Sequence, residues 1–125
     1  MALKILSVFL LVAVLACPAV AGDAQRFVSV VDDLPLMDGL NEGAEGVEFT
    51  TPQGRLVEAT ATGTVSAKAV LDFYAETLPQ LGWTAAKIKG ANKARFVREG
   101  ETLDLSTSRK AGTLSVRFSL APTDK

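Results

Sequence analysis

One segment of helical period stands in this chain, with runs of alternating polarity on its flanks. Val70, Phe73, Thr77 and Leu81, with Leu71, Tyr74 and Leu78, recur at helical spacing, and Lys68, Asp72 and Glu76 fall on the opposite side. Ser66 is placed to cap the start, because its hydroxyl can accept from an orphan backbone N–H of the first turn. Pro79 weakens the far end, and Gly82 can supply a left-handed cap. The result is one amphipathic helix of about four turns. A lone helix with one apolar face needs a sheet with one apolar face to bury it, which points to two layers.

The alternating runs supply that sheet. Val47, Phe49 and Thr51 alternate with Glu48 and Thr50, Pro52-Gln53-Gly54 turns, and Arg55 to Thr62 alternates again with Val57, Ala59 and Ala61 on one face. This reads as a β-hairpin. After the helix, strands are expected over Trp83 to Ile88, Ala94 to Arg98, Thr102 to Thr107 and Thr113 to Leu120, with turns at Gly90-Ala91-Asn92, Glu99-Gly100-Glu101 and Ala111-Gly112. Short turns between consecutive strands imply an antiparallel meander. The expected fold is therefore α+β, one helix on an antiparallel sheet in the order β-β-α-β-β-β-β. Its core is expected to draw on Val57, Val70, Phe73, Leu78, Leu81, Trp83, Phe96, Leu103, Leu105, Leu114, Val116 and Phe118, with Phe49 a further candidate.

The N-terminal residues carry a different message. Lys4 precedes an apolar run, Ile5 to Ala16, and Ala19-Val20-Ala21 has the small-x-small pattern of a signal peptidase site. The run is short for a bilayer span, which takes about 20 apolar residues. Residues 1–21 thus read as a signal peptide and imply an exported, periplasmic or secreted protein. Val14-Leu15-Ala16-Cys17 offers an alternative, a lipobox whose cysteine is lipidated and tethers the domain to a membrane, although Leu15 and Pro18 fit that motif poorly. Cleavage after Ala21 leaves no cysteine, twelve bases and fourteen acids, a net charge of −2. An exported domain without disulfides suits a bacterial periplasm. The organisation expected is a signal peptide over 1–21, an irregular arm over 22–46, a single domain over 47–121 and a tail over 122–125. The arm is rich in turn signals, yet Phe27, Val28, Val30, Val31, Leu34, Leu36, Met37 and Leu40 are too many apolar side chains for a solvated linker. It should lie on the domain, with a short edge strand near 27–31.

The helix and its exit carry a resemblance. Val70-Leu71-Asp72-Phe73-Tyr74, Leu78-Pro79-Gln80-Leu81-Gly82-Trp83 and Phe96-Val97-Arg98-Glu99-Gly100 resemble an uncharacterised family of small exported bacterial proteins that share an FY…LPxLGW helix exit. The likeness spans roughly residues 34–121. It implies a fold and brings no activity, cofactor or catalytic residue with it.

The residue types present restrict the chemistry. There is no histidine, and no cysteine beyond Cys17, which removes Ser-His-Asp and Cys-His catalysis and zinc sites built on those ligands. Asp72 and Glu76 sit one helical turn apart, but a solvated face beside Lys68 accounts for them. Asp38, Asn41, Glu42 and Glu45 lack the ordered spacing of a calcium loop. A capping role accounts for Ser66 beside Lys68, and no phosphate loop is present. No catalytic, cofactor or metal residue is expected.

Charge is unevenly placed. Residues 22–80 hold ten acids and three bases, and residues 81–125 hold four acids and nine bases. Complementary packing of the two halves is the simpler account, and a partner surface is the other. The partner-binding candidates are Lys87, Lys89, Lys93, Arg95 and Arg98, which follow one another with no acid between them. An envelope protein, anionic headgroups or a small ligand would suit them. Nucleic acid would not, because the net charge is negative and no aromatic residues interleave with the bases. The function expected is a small non-enzymatic periplasmic binding or interaction module. The alternatives are a lipoprotein tethered through Cys17 and a carboxylate-dependent enzyme or enzyme accessory, which would need two of Glu58, Asp72, Glu76 and Asp104 close together in a pocket.

Overall fold

The computed structural model describes residues 26–44 and 46–123. The signal-peptide segment, Cys17 and Glu45 lie outside the described residues. The strands in chain order are β1 (Arg26–Phe27), β2 (Pro35–Leu36), β3 (Leu40–Glu42), β4 (Val47–Thr51) and β5 (Gly54–Gly63), then helix α1 (Ala67–Thr77), then β6 (Thr84–Ala86), β7 (Lys93–Arg98), β8 (Glu101–Lys110) and β9 (Thr113–Pro122). One helix lies against a mostly antiparallel sheet, the α+β arrangement expected, with three short strands in the arm beyond the expected order.

The sheet runs β3-β5-β9-β8-β7-β6, with β4 paired to β5 beside β3. α1 carries the chain from β5 to the far edge, and the meander β6 to β9 returns until β9 lies antiparallel to β5. Alternation decides the faces. Val57, Ala59, Ala61, Phe96, Leu103, Leu105, Leu114, Val116, Phe118 and Leu120 are buried on the helix side. Glu58, Thr60, Arg95, Asp104, Ser106, Ser115, Arg117 and Ser119 alternate with them and stand on the outer face. Val70 and Tyr74 are the buried helix positions, and the Tyr74 ring meets Phe118 edge-on at 5.4 Å.

The helix ends as its sequence demands. Ser66 Oγ accepts from the Ala69 N–H at 3.0 Å. Pro79 cannot donate to a carbonyl one turn back, so the α-helix stops at Thr77 and a single 3₁₀ turn covers Leu78–Leu81. Gly82 closes it in the left-handed region at φ 92°, and Trp83 N–H then reaches back to Leu78 O at 3.1 Å. Trp83 fills the foot of the helix and is only 3% exposed, as expected. Leu81, expected in the core, lies at the surface, because the 3₁₀ turn that ends the helix buries Leu78 and leaves Leu81 exposed.

Three further expectations are corrected. Phe49 is 63% exposed, because the β4–β5 register sets Glu48 opposite buried Val57 and turns Phe49 to the outer face beside Leu56. A one-residue change of register would reverse this, and the strand's own alternation does not fix it. The edge strand near 27–31 ends at Phe27, after which Val31 N–H bonds to Val28 O and Val28 and Leu34 pair through a 2.8 Å bond, closing a turn. The strand expected over 83–88 shrinks to Thr84–Ala86, and residues 87–92 form a longer connection.

The arm is part of the core. Val28, Val31, Leu34, Leu36 and Leu40 are all buried, and each such side chain contributes about 1.5–3 kcal/mol by leaving water. Its backbone is held by side chains rather than by a long ladder. Tyr74 Oη donates to Pro35 O at 2.7 Å, and Arg26 donates to Leu40 O at 2.8 Å.

Candidate functional site

The short edge of the sheet brings part of the basic strip together. β6 has only three residues, and the 87–92 connection beyond it is anchored where Thr107 donates to Asn92 O through its N–H at 2.9 Å and its hydroxyl at 3.2 Å. Small side chains line the space there. Ala75 on α1, Ala85 and Ala86 on β6, and Ala94 on β7 leave a groove of about 740 Å³ whose remaining apolar wall is Ile88 and Phe96. Lys87, Lys89, Lys93 and Arg95 stand around it. The opening is thus apolar within and cationic at its rim.

The five candidate cations are not equivalent. Lys87, Lys89 and Lys93 are exposed, and no acidic group pairs with them among the described residues. Arg95 reaches the same rim but is committed to Asp104 on the neighbouring strand through two bonds of 2.7 and 2.9 Å, which raise its guanidinium pKa above the ordinary value. Arg98 leaves the group altogether. It faces the helix side, where it bonds Asp33 at 2.6 Å and Leu81 O at 3.0 Å and lies over the Trp83 ring at 4.2 Å. Its side chain is 16% exposed, and its work is to clamp the arm to the helix exit.

The uneven charge is therefore used in two ways. Arg98 with Asp33, and Arg117 with Glu58, join the basic second half to the acidic first half, as complementary packing requires. The lysines of the groove rim are the surplus.

The carboxylates do not converge on the groove. Glu58 and Asp104 stand on either side of Ser119 across β9, about 10 Å apart at two strand spacings. Ser119 Oγ donates to Glu58 at 2.5 Å, and Asp104 holds Arg95. Asp72 is paired with Lys68 on the exposed side of α1, and Glu76 is exposed on the same helix. Among the described residues no three metal-ligating side chains gather. No helix among them is long and apolar enough to cross a membrane.

The chain matches no family model, no curated protein and no solved structure. The geometry alone must then carry the functional argument. Reading charge along the chain located the lysines but missed the groove, which the alanines create. Their signal is the run of small residues on consecutive edge strands, Ala85-Ala86 and Ala94, where a buried strand would carry larger side chains.

Proposed function

We propose that this protein is a small exported, non-enzymatic binding module that takes an anionic ligand with an apolar body in the groove beside β6. The observation that carries this is the set of three lysines without acidic partners around an apolar opening. A solvated strand face would need no cavity beneath its charges. The volume, about 740 Å³, falls in the range of small-molecule sites, and a mostly apolar wall with a few polar groups is the usual construction of one. The apolar part of the ligand would lie against Ile88 and the alanines Ala75, Ala85 and Ala86, and its anionic group would be drawn to Lys87, Lys89 and Lys93. The dispersed and paired carboxylates support binding over catalysis, because an acid–base pair needs two such groups held together and desolvated.

Laurate and the uncharged lauryl alcohol serve as probes, followed by amide chemical shifts. Laurate should move the signals of 85–89 and 93–96, and the alcohol should bind more weakly. Exchanging Lys87, Lys89 and Lys93 together for Gln should weaken laurate binding roughly tenfold, at about 0.5 kcal/mol for each exposed charge. The unfolding temperature should not change, since these side chains make no ion pair in the fold. Shifts scattered away from the groove, or equal affinity in the variant, would sink the proposal.

A further inference from the structure

The opposite edge of the sheet is built differently. β4 is hydrogen-bonded to β5 alone, and its outer edge carries no partner among the described residues. Along that edge, Val47-Glu48-Phe49-Thr50-Thr51 holds no lysine and no proline, two of the residues that usually blunt an exposed edge. Its outer face is apolar. Val47 and Phe49 are exposed, and Leu56, directly opposite Phe49 on β5, is exposed beside them. Together they form the largest group of exposed apolar side chains on neighbouring positions in the described residues.

We infer that β4 is a homodimer interface, in which two copies pair antiparallel about a two-fold axis at Phe49 and join their sheets into one. The sequence of the strand selects this occupant and this register. With the axis at Phe49, Val47 faces Thr51 of the second copy and Glu48 faces its Thr50, so no like charges meet. Val47 and the two Phe49 rings fall on the same outer face, where they cover one another. Moving the axis to Glu48 would set two carboxylates opposite each other, which destabilises a cross-strand pair. Moving it to Thr50 would bring Pro52, which has no N–H, opposite Glu48. Only the register at Phe49 engages all five residues.

Polar complementarity supports a second copy over an unrelated strand. In the dimer the Glu48 carboxylate of one copy faces Thr50 of the other, whose hydroxyl can donate to it, and no second acid stands opposite. The relation occurs twice by symmetry, as an isologous interface requires. Arg55, opposite Thr50 on β5, is already held by Glu101 at 2.9 and 3.1 Å and takes no part. The β6 edge could not pair this way, because it is only three residues long.

The test is the mass of the purified protein in solution by sedimentation equilibrium. Wild type should be a dimer. Phe49→Lys and Phe49→Glu, each placing like charges on the axis, should both be monomers with unchanged circular dichroism, because Phe49 is exposed and contributes nothing to the core. Mixing the two variants should restore a dimer. Phe49→Cys should form a disulfide between the two copies of position 49, since directly opposed residues lie about 4.5–5.5 Å apart, within the span of that bond. A monomeric wild type, or a dimer that persists in both charged variants, would overturn the inference. So would a charged-variant mixture that stays monomeric.

Discussion

Replacing Tyr74 by Phe should loosen the arm and lower the stability of the whole domain. Tyr74 is fully buried, and its hydroxyl donates to Pro35 O at 2.7 Å. The Met37 N–H approaches the Tyr74 hydroxyl oxygen at 3.4 Å, a long and weak contact. Phe keeps the ring, so its edge contacts with Phe73 at 4.9 Å and Phe118 at 5.4 Å survive. What changes is one hydrogen bond and the state of one acceptor. An ordinary exchange of partners with water would cost about 0.5–1.5 kcal/mol, but Pro35 is buried, and an acceptor stranded away from water costs about 1–3 kcal/mol.

A central value of about 2 kcal/mol corresponds to a fall of roughly 8–16 °C in unfolding temperature for a domain of this size. Urea unfolding followed by the fluorescence of Trp83, the one tryptophan, measures it. Limited proteolysis adds a second reading, because the lost bond joins the arm to α1 and cleavage within 26–44 should accelerate. If the variant lies within about 0.5 kcal/mol of wild type and its arm is cut no faster, the reasoning is refuted, and the apolar contacts of the arm alone would hold it.

Two further outcomes follow from the same contacts. Burial pushes the Tyr74 phenol above its ordinary value of 10.0, with the Met37 N–H opposing in part. A group whose pKa is raised by folding stabilises fully below the unfolded value and less as pH climbs past it. Stability should therefore fall above about pH 10, and phenolate absorbance, which reports Tyr74 alone because the chain has one tyrosine, should appear only with unfolding. A phenolate signal in the folded protein near pH 10 would contradict the burial argument. Exchanging Arg98 for Ala removes its bonds to Asp33 and Leu81 O and its contact with Trp83, and should cost about 2 kcal/mol while leaving laurate affinity unchanged. Equal stability, or a loss of laurate binding in the folded variant, would return Arg98 to the binding surface.

How much of this was legible in the sequence depends on where each element gets its order. The helix, its Ser66 and Gly82 caps and the strands from Ala94 onward were readable, because a period of 3.6 or 2 repeats often enough to be seen and each end carries its own chemistry. The arm was readable only as apolar and folded. Its strands are two or three residues long, too short for a period, and Tyr74, Arg98 and Arg26 reach it from residues that its sequence does not name. Phe49 failed for another reason. Alternation says that Phe49 and Glu48 face opposite ways, but only the pairing with Val57 says which way is inward. The five bases read as one strip, and strand parity divided them. Arg95 and Arg98 lie three residues apart on β7 and so stand on opposite faces of the sheet.

The same parity organises the molecule around two unlike edges. The sheet order puts β4 at one end and β6 at the other, with β5, β9, β8 and β7 between them. A protein that used one edge for both ligand and partner would have to release one to bind the other. Here the β6 edge is too short to pair with a copy and leaves its groove open, while the β4 edge, whose one charge, Glu48, would face Thr50, can accept a copy without covering the groove. Pairing through β4 would place the two grooves at the far ends of a continuous sheet, separated by ten strands at about 4.8 Å each, or roughly 50 Å before twist. Two sites so far apart cannot share one small ligand. They can engage a surface that displays many, and avidity then exceeds the strength of either groove without any new contact. On anionic vesicles, wild type should therefore bind more tightly than Phe49→Lys at equal groove affinity for free laurate. The added positive charge of that variant biases it toward the vesicle, so weaker binding by Phe49→Lys that is recovered in the mixture of Phe49→Lys and Phe49→Glu would mark lost bivalency, and equal or tighter binding by Phe49→Lys would separate the dimer from the function.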